Sequence, residues 1–132
     1  MSSQVLFPAV TVDASSKSFF DAARDGRLVV QRCLQCGTNQ LGCEICQQCF
    51  GTEFAWVPAS GRGFIHALVV MHLAYHAAFV PPYRSAIVEL DEGPRLPVLL
   101  EGFASAQVGQ AVVIAFVPAE NATLVPVARC VT

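Results

Sequence analysis

The sequence predicts a mainly β chain in which a short helix and a cysteine-built ribbon precede a five-stranded barrel. Three observations carry that prediction. Five of the six cysteines crowd into residues 33–49 with two-residue gaps. Beyond them, five β-prone runs follow one another, most of them separated by turn residues and with no convincing helix between them. The length of 132 residues suits one ordinary domain or two small modules, enough for a real core but not for a large enzyme.

Residues 1–14 are mixed in character, contain Pro8 and show no period, so they read as an extended arm. Ser15 and Ser16 offer N-caps to a helix over about 17–25, with Phe19, Phe20 and Ala23 on one side and Gly26 as its stop. A helix this short is marginal alone, so its aromatic pair must pack on the ribbon or on a partner subunit. From Arg27 the pattern turns β. Leu28-Val29-Val30 leads into the first cysteine pair, and Phe54, Trp56 and Val57 follow the second, so two strands flank the cysteines.

Pro58-Ala59-Ser60-Gly61 marks a boundary, dividing the chain into 1–58 (arm, helix and ribbon) and 59–132 (barrel). The barrel runs are Gly63 to Leu73, Tyr83 to Leu90, Leu96 to Leu100, Ala111 to Val117 and Leu124 to Ala128. Five short strands in about 70 residues suit a Greek-key barrel of the OB type, with an SH3-like barrel as the alternative.

Cys33-Leu34-Gln35-Cys36-Gly37 has the form of a metal knuckle: two thiolates three apart grip one ion, and the glycine permits the tight turn that aims backbone N–H groups at sulfur. Cys46-Gln47-Gln48-Cys49 supplies the second knuckle. The intervening residues let the chain return and complete a tetrahedral four-cysteine zinc site at Cys33, Cys36, Cys46 and Cys49. Four thiolates leave no position for water, so the expected role is structural, contributing on the order of 10 kcal/mol to folding. Cys43-Glu44-Ile45-Cys46 is also a pair with two residues between, which makes Cys43 the competing ligand; we read it as a bystander thiol. Cys130 reads as a small apolar residue of the last strand. A redox pair would want a helix start inside a βαβ unit, and none is visible. Iron in the four-cysteine site, making an electron carrier, would announce itself by colour.

Other constellations are weak. His66 and His72 would share a face in a regular strand, and His76 lies just beyond, but isolated strand histidines are more often structural or surface groups. Glu89, Asp91 and Glu92 precede Gly93-Pro94 and read as a solvated hairpin turn rather than paired catalytic carboxylates. Gly61-Arg62-Gly63 is too short for a phosphate loop and precedes a strand. No stretch approaches the roughly 20 apolar residues of a membrane span, and a basic start with an apolar run is missing from the first thirty residues, so the expectation is a cytoplasmic protein. Charged residues are 14% of the chain against 54% apolar, which leaves too little charge to clothe an isolated surface and points to cover by a partner. The net charge is -2 and the eight basic residues are scattered, so a single-stranded nucleic-acid binder, the alternative that an OB barrel raises, lacks its basic groove.

The order of features is specific. A helix with Phe19-Phe20, then Gly26-Arg27-Leu28-Val29-Val30-Gln31-Arg32-Cys33, two knuckles, Trp56-Val57, Ser60-Gly61-Arg62-Gly63, Pro81-Pro82-Tyr83 and Val88-Glu89-Leu90-Asp91-Glu92-Gly93 resembles the zinc-ribbon and OB-fold family associated with acyl-CoA enzymes. The resemblance covers about residues 17–128. It departs between the knuckles, where the family usually has prolines and an arginine and this chain has Leu41-Gly42-Cys43. The resemblance implies an N-terminal helix, a rubredoxin-like ribbon and an OB barrel. It also implies a non-catalytic accessory subunit that forms a hetero-oligomer with a thiolase-like condensing enzyme, an aldolase or an acyl-CoA hydratase, with the chemistry in the partner. On that basis the ribbon and the Phe19-Phe20 helix would dock on the partner, and the barrel would help bind acyl-CoA. Arg62, Arg84 and Arg95 would meet its phosphates, because guanidinium forks suit phosphate oxygens. The segment from Tyr75 to Tyr83 is the long loop suited to lying over a ligand or partner.

Overall fold

The computed structural model describes residues 12–14, 16–73, 83–101 and 106–130. The arm up to residue 11, Ser15, His76, Phe79, Phe103 and the part of the predicted loop from Tyr75 to Pro82 lie outside the described residues.

Helix α1, Lys17–Arg24, opens at Ser16, whose hydroxyl makes no cap to the helix. It bonds instead to Asp13, with Oγ 3.0 Å from Asp13 Oδ1. Gly26 ends the helix in the left-handed region at φ 75°, where a side chain would be strained. The turn closes with Gly26 N–H donating to Ala23 O at 2.9 Å and Arg27 N–H to Ala22 O at 3.0 Å. Ala22 and Ala23 are buried, and α1 lies against the strands Leu124–Cys130 and Val29–Cys33. Phe19 packs on the main core and meets Phe20 edge to face at 5.2 Å. One aromatic of the predicted pair is therefore held by its own chain.

The ribbon is a three-stranded antiparallel sheet of β1 (Val29–Cys33), β2 (Asn39–Gln40) and β3 (Phe54–Pro58), in the order β2-β1-β3. Sequence analysis anticipated β1 and β3. It missed β2, whose two residues are too few to show a period.

The barrel comprises β4 (Arg62–Met71), β5 (Tyr83–Leu90), β6 (Arg95–Glu101), β7 (Ala111–Pro118) and β8 (Leu124–Cys130), close to the predicted runs. It closes in the order β4-β5-β6-β8-β7, with β7 returning to β4. Only β6 and β8 run parallel, with Leu99 opposite Val127. This is the five-stranded Greek-key barrel expected of the OB type.

Alternation sets the core. Ala86, Val88 and Leu90 of β5 point inward with Ile65, Val98, Val112 and Ala128, and Leu28 and Val30 from the ribbon end join the same cluster. Fully burying each Val, Leu or Ile contributes about 1.5–3 kcal/mol. A β-bulge between Ile65 and Ala67 breaks the period of β4, and the strand ends at Met71. The regular strand that would have given His66 and His72 one face is thus absent, and both side chains are exposed. Gly63 is required by close approach, since a β-carbon there would collide with the Glu89 carbonyl across the pair. Among the described residues no helix is long and apolar enough to cross a membrane.

Candidate metal centre

Each knuckle is a hydrogen-bonded turn. Gly37 N–H donates to Cys33 O at 2.9 Å, and Phe50 N–H donates to Cys46 O at 3.0 Å. Both turns end on a residue of positive φ, 79° at Gly37 and 62° at Phe50. Glycine adopts this freely, whereas phenylalanine there costs roughly 1–2 kcal/mol. The turns are anchored at their bases by Cys33 N–H to Thr38 O (3.0 Å), Leu34 N–H to Glu53 O (3.0 Å) and Cys46 N–H to Gly51 O (2.7 Å).

These turns bring the Sγ atoms of Cys33, Cys36, Cys46 and Cys49 within 4.8 Å of one another. Cys33 and Cys49 are 3.5 Å apart and Cys36 and Cys46 3.6 Å. Sulfurs at tetrahedral corners about 2.3 Å from zinc would be about 3.8 Å apart, so the cluster fits that ion closely. Cys33 and Cys46 are buried and Cys36 is exposed.

The surroundings favour thiolate. The Gln40 amide donates to Cys46 Sγ at 3.4 Å, as does the Gln48 N–H, and with the Cys49 N–H they lower the Cys46 pKa to about 6. The Thr38 hydroxyl, 3.2 Å from Cys36 Sγ, lowers that thiol as well. Cys49 goes the other way. The Gly51 N–H favours its thiolate, but burial and the neighbouring sulfurs push it up to about 12. Four crowded thiolates need a cation, and a metal would displace this last proton.

Cys43 is not among the four. Its backbone is gripped by the buried Gln31, whose Oε1 accepts from Cys43 N–H at 3.1 Å and whose Nε2 donates to Cys43 O at 2.9 Å. Its thiol lies 3.6 Å from Leu41 O. Gln31 and Gln40 both escaped sequence analysis, although two glutamines in a β-rich segment were a signal that buried amides had work to do.

The three arginines singled out from sequence are not brought to one point. Arg62 and Arg95 begin β4 and β6 at the barrel end next to the ribbon, where Arg95 Nε lies 3.4 Å from Glu89 Oε1. Arg84 is near the start of β5, opposite Val70. With Arg95 opposite Glu89, five residues along the same strand, Arg84 is roughly 17 Å distant at the strand rise. Phe19, Leu41, Ile45, Trp56 and Leu96 line a largely apolar cleft of about 640 Å³ between α1, the inter-knuckle loop and the barrel, with Arg95 at its wall. Phe20 instead borders a separate depression beside Leu124.

The hairpin at Asp91 to Pro94 does more than turn. Glu92 Oε2 accepts from Ser60 N–H at 2.8 Å, and Glu92 O accepts from the Asn39 amide at 3.2 Å. The ribbon is thereby tied to the barrel. Glu92 Oε1 is buried with no hydrogen-bond partner among the described residues. This corrects the reading of Glu92 as a solvated turn residue; its partners lie too far away in sequence for any local signal.

Comparison with known proteins places these features in a wider set. Residues 56–117 match the profile of the family described as "ChsH2, C-terminal OB-fold domain". The probable enoyl-CoA hydratase alpha subunit of Thermomonospora curvata is 34% identical over 129 residues, 96% of this chain and 40% of that protein. The benzoylsuccinyl-CoA thiolase subunit BbsA of Geobacter metallireducens is 34% identical over 71 residues, 54% of this chain and 48% of that protein. The chain thus spans about half or less of the curated relatives it matches. Among solved structures, a chain of the Ltp2-ChsH2(DUF35) aldolase superposes with a TM-score of 0.82 at 34% identity, covering 92% of this chain and 98% of that one.

Proposed function

The chain belongs to the DUF35 family of ChsH2-type proteins, and from that premise we propose that it is a non-catalytic, zinc-bearing accessory subunit of a thiolase-, aldolase- or hydratase-type acyl-CoA enzyme. The observation that carries this reading is the likeness over nearly the whole chain to a component of an aldolase assembly. The relative named as a thiolase subunit supports it.

In this reading Cys33, Cys36, Cys46 and Cys49 hold zinc, which supplies a structural cross-link and no chemistry. The unit 1–58 presents α1 and the ribbon to the partner, with Phe20 more available than Phe19. The unit 59–132 contributes to binding acyl-CoA. Arg62 and Arg95 serve one phosphate region, and Arg84 serves a different part of the ligand. The apolar cleft beside Arg95 has the size of a small-molecule site, which supports a thioester-binding role. The hetero-oligomer works in the cytoplasm and not on nucleic acid.

The test is affinity capture of the tagged chain from its native host, with mass spectrometry of the co-purifying polypeptides and elemental analysis of the chain. A stoichiometric acyl-CoA enzyme subunit and about one zinc per chain are expected. Capture of nucleic acid alone, or of no such enzyme, would overturn the assignment. If acyl-CoA affinity of the assembled complex survived replacement of Arg62, Arg84 and Arg95 together, the phosphate roles would fall.

A further inference from the structure

We infer that the tip of the ribbon is an arginine-accepting contact for the partner subunit, built by Phe50, Leu34 and Glu53; this rests on the accessory-subunit reading and names where the partner is gripped.

The two knuckles are the same turn built twice, and they differ at their last position. Gly37 meets the positive φ without cost, while Phe50 meets it against the preference of every β-carbon. A strained residue persists where the surroundings hold it, and such strain gathers at working sites. The Phe50 ring does not repay the strain by packing inside. It is 76% exposed, the most exposed large apolar side chain among the described residues, and Leu34 on the first knuckle is 61% exposed.

Phe50 and Leu34 border one notch of about 410 Å³ together with Gln35, Thr52 and Glu53. Glu53 is exposed, and its carboxylate has no ion-pair partner among the described residues. Arg32, the nearest cation along β1, is turned to Asn39 Oδ1 at 3.3 Å. The notch therefore offers an aromatic face, an aliphatic wall and an uncompensated negative charge. That combination recognises a guanidinium: its plane stacks on the ring, its N–H fork meets the carboxylate, and the aliphatic wall sheds water. The occupant is an arginine on the protein surface of the partner enzyme, a residue type that dominates interface energetics when so enclosed.

The experiment places p-benzoylphenylalanine at Phe50 in the full chain, irradiates cells of the native host, and maps the adduct by mass spectrometry. An adduct on the captured acyl-CoA enzyme, within a few residues of an arginine, is expected. Two further variants accompany it. Phe50→Gly should raise the melting temperature of the lone chain by a few degrees while lowering affinity for the enzyme at least about tenfold. Glu53→Gln should weaken binding and flatten its salt dependence. If the tagged wild-type chain captures the enzyme but the probe at Phe50 gives no adduct to it, or Phe50→Gly binds as well as wild type, the inference fails and the subunit reading stands. An adduct only to a second copy of this chain also overturns it. If the wild-type chain captures no such enzyme, both fall together.

Discussion

In the ribbon the large fully buried side chains beyond Val30 are Cys33, at the end of β1, and Cys46; in the barrel the largest fully buried side chains are Ile65, Val88, Leu90, Val112 and Val127. The ribbon has almost no apolar interior beyond the root of β1, and its turns are organised around sulfur. The barrel is held by interdigitated branched side chains and a closed ladder. The difference teaches that the ribbon, if it holds the proposed zinc, would draw its stability from what it binds, while the barrel's depends on what it excludes. Two links blur the division: Leu28 and Val30 lie in the barrel's core cluster, and the Asn39 amide of β2 donates to Glu92 O.

The largest effect tests the sulfur side. With zinc held as proposed, Cys46→Ser should abolish stoichiometric metal and forfeit on the order of 10 kcal/mol from the ribbon. Hydrogen exchange should then show protection lost across 29–58 and retained across 62–71 and 83–90. Loss spread evenly over both regions would break the contrast.

Ile65→Ala is the mirror experiment, with an expected loss of about 2–5 kcal/mol in urea unfolding and an unchanged zinc content. Glu92→Ala sits on the hairpin that braces the junction between the regions at Ser60. It removes the acceptor of the Ser60 N–H and should cost about 1 kcal/mol, with faster exchange of that amide. A neutral result would mean that the shared β1 root and the Asn39 bond to the Glu92 carbonyl suffice to couple ribbon to barrel. The smallest effect belongs to Cys43→Ser, below about 0.5 kcal/mol and with the same metal stoichiometry. A halved zinc affinity or more would put Cys43 back among the ligands.

Sequence pattern reached the barrel and the cluster by different routes. The β runs were legible because Ala86, Val88 and Leu90, like Ile65, carry their burial in plain alternation. The four-cysteine cluster was legible because two-residue gaps are a local geometric demand. What escaped was either too short or too distant. β2 has two residues, and Asn39 finds Glu92 only through the fold. The bulge at Ile65/Ala67 likewise leaves no mark in composition, and it is the register that separates His66 from His72. The oddity of Phe50, by contrast, was visible in principle: Cys-x-x-Cys-Gly and Cys-x-x-Cys-Phe stand in the same short segment, and only the first is suited to the turn both must make.

The ring closure of the barrel has a colloidal consequence. An open sheet leaves a row of unsatisfied amides and carbonyls on which another chain can template, the starting point of precipitation and fibrils. Here β7 returns to β4 over residues 62–64 and β6 zips to β8 over residues 99–101, so ring closure shortens such a row without removing it. In the ribbon the borders are β2, two residues long, and β3, which terminates in Pro58. A chain with 54% apolar residues thus presents a shorter template to its own copies than the same strands laid out as an open sheet would.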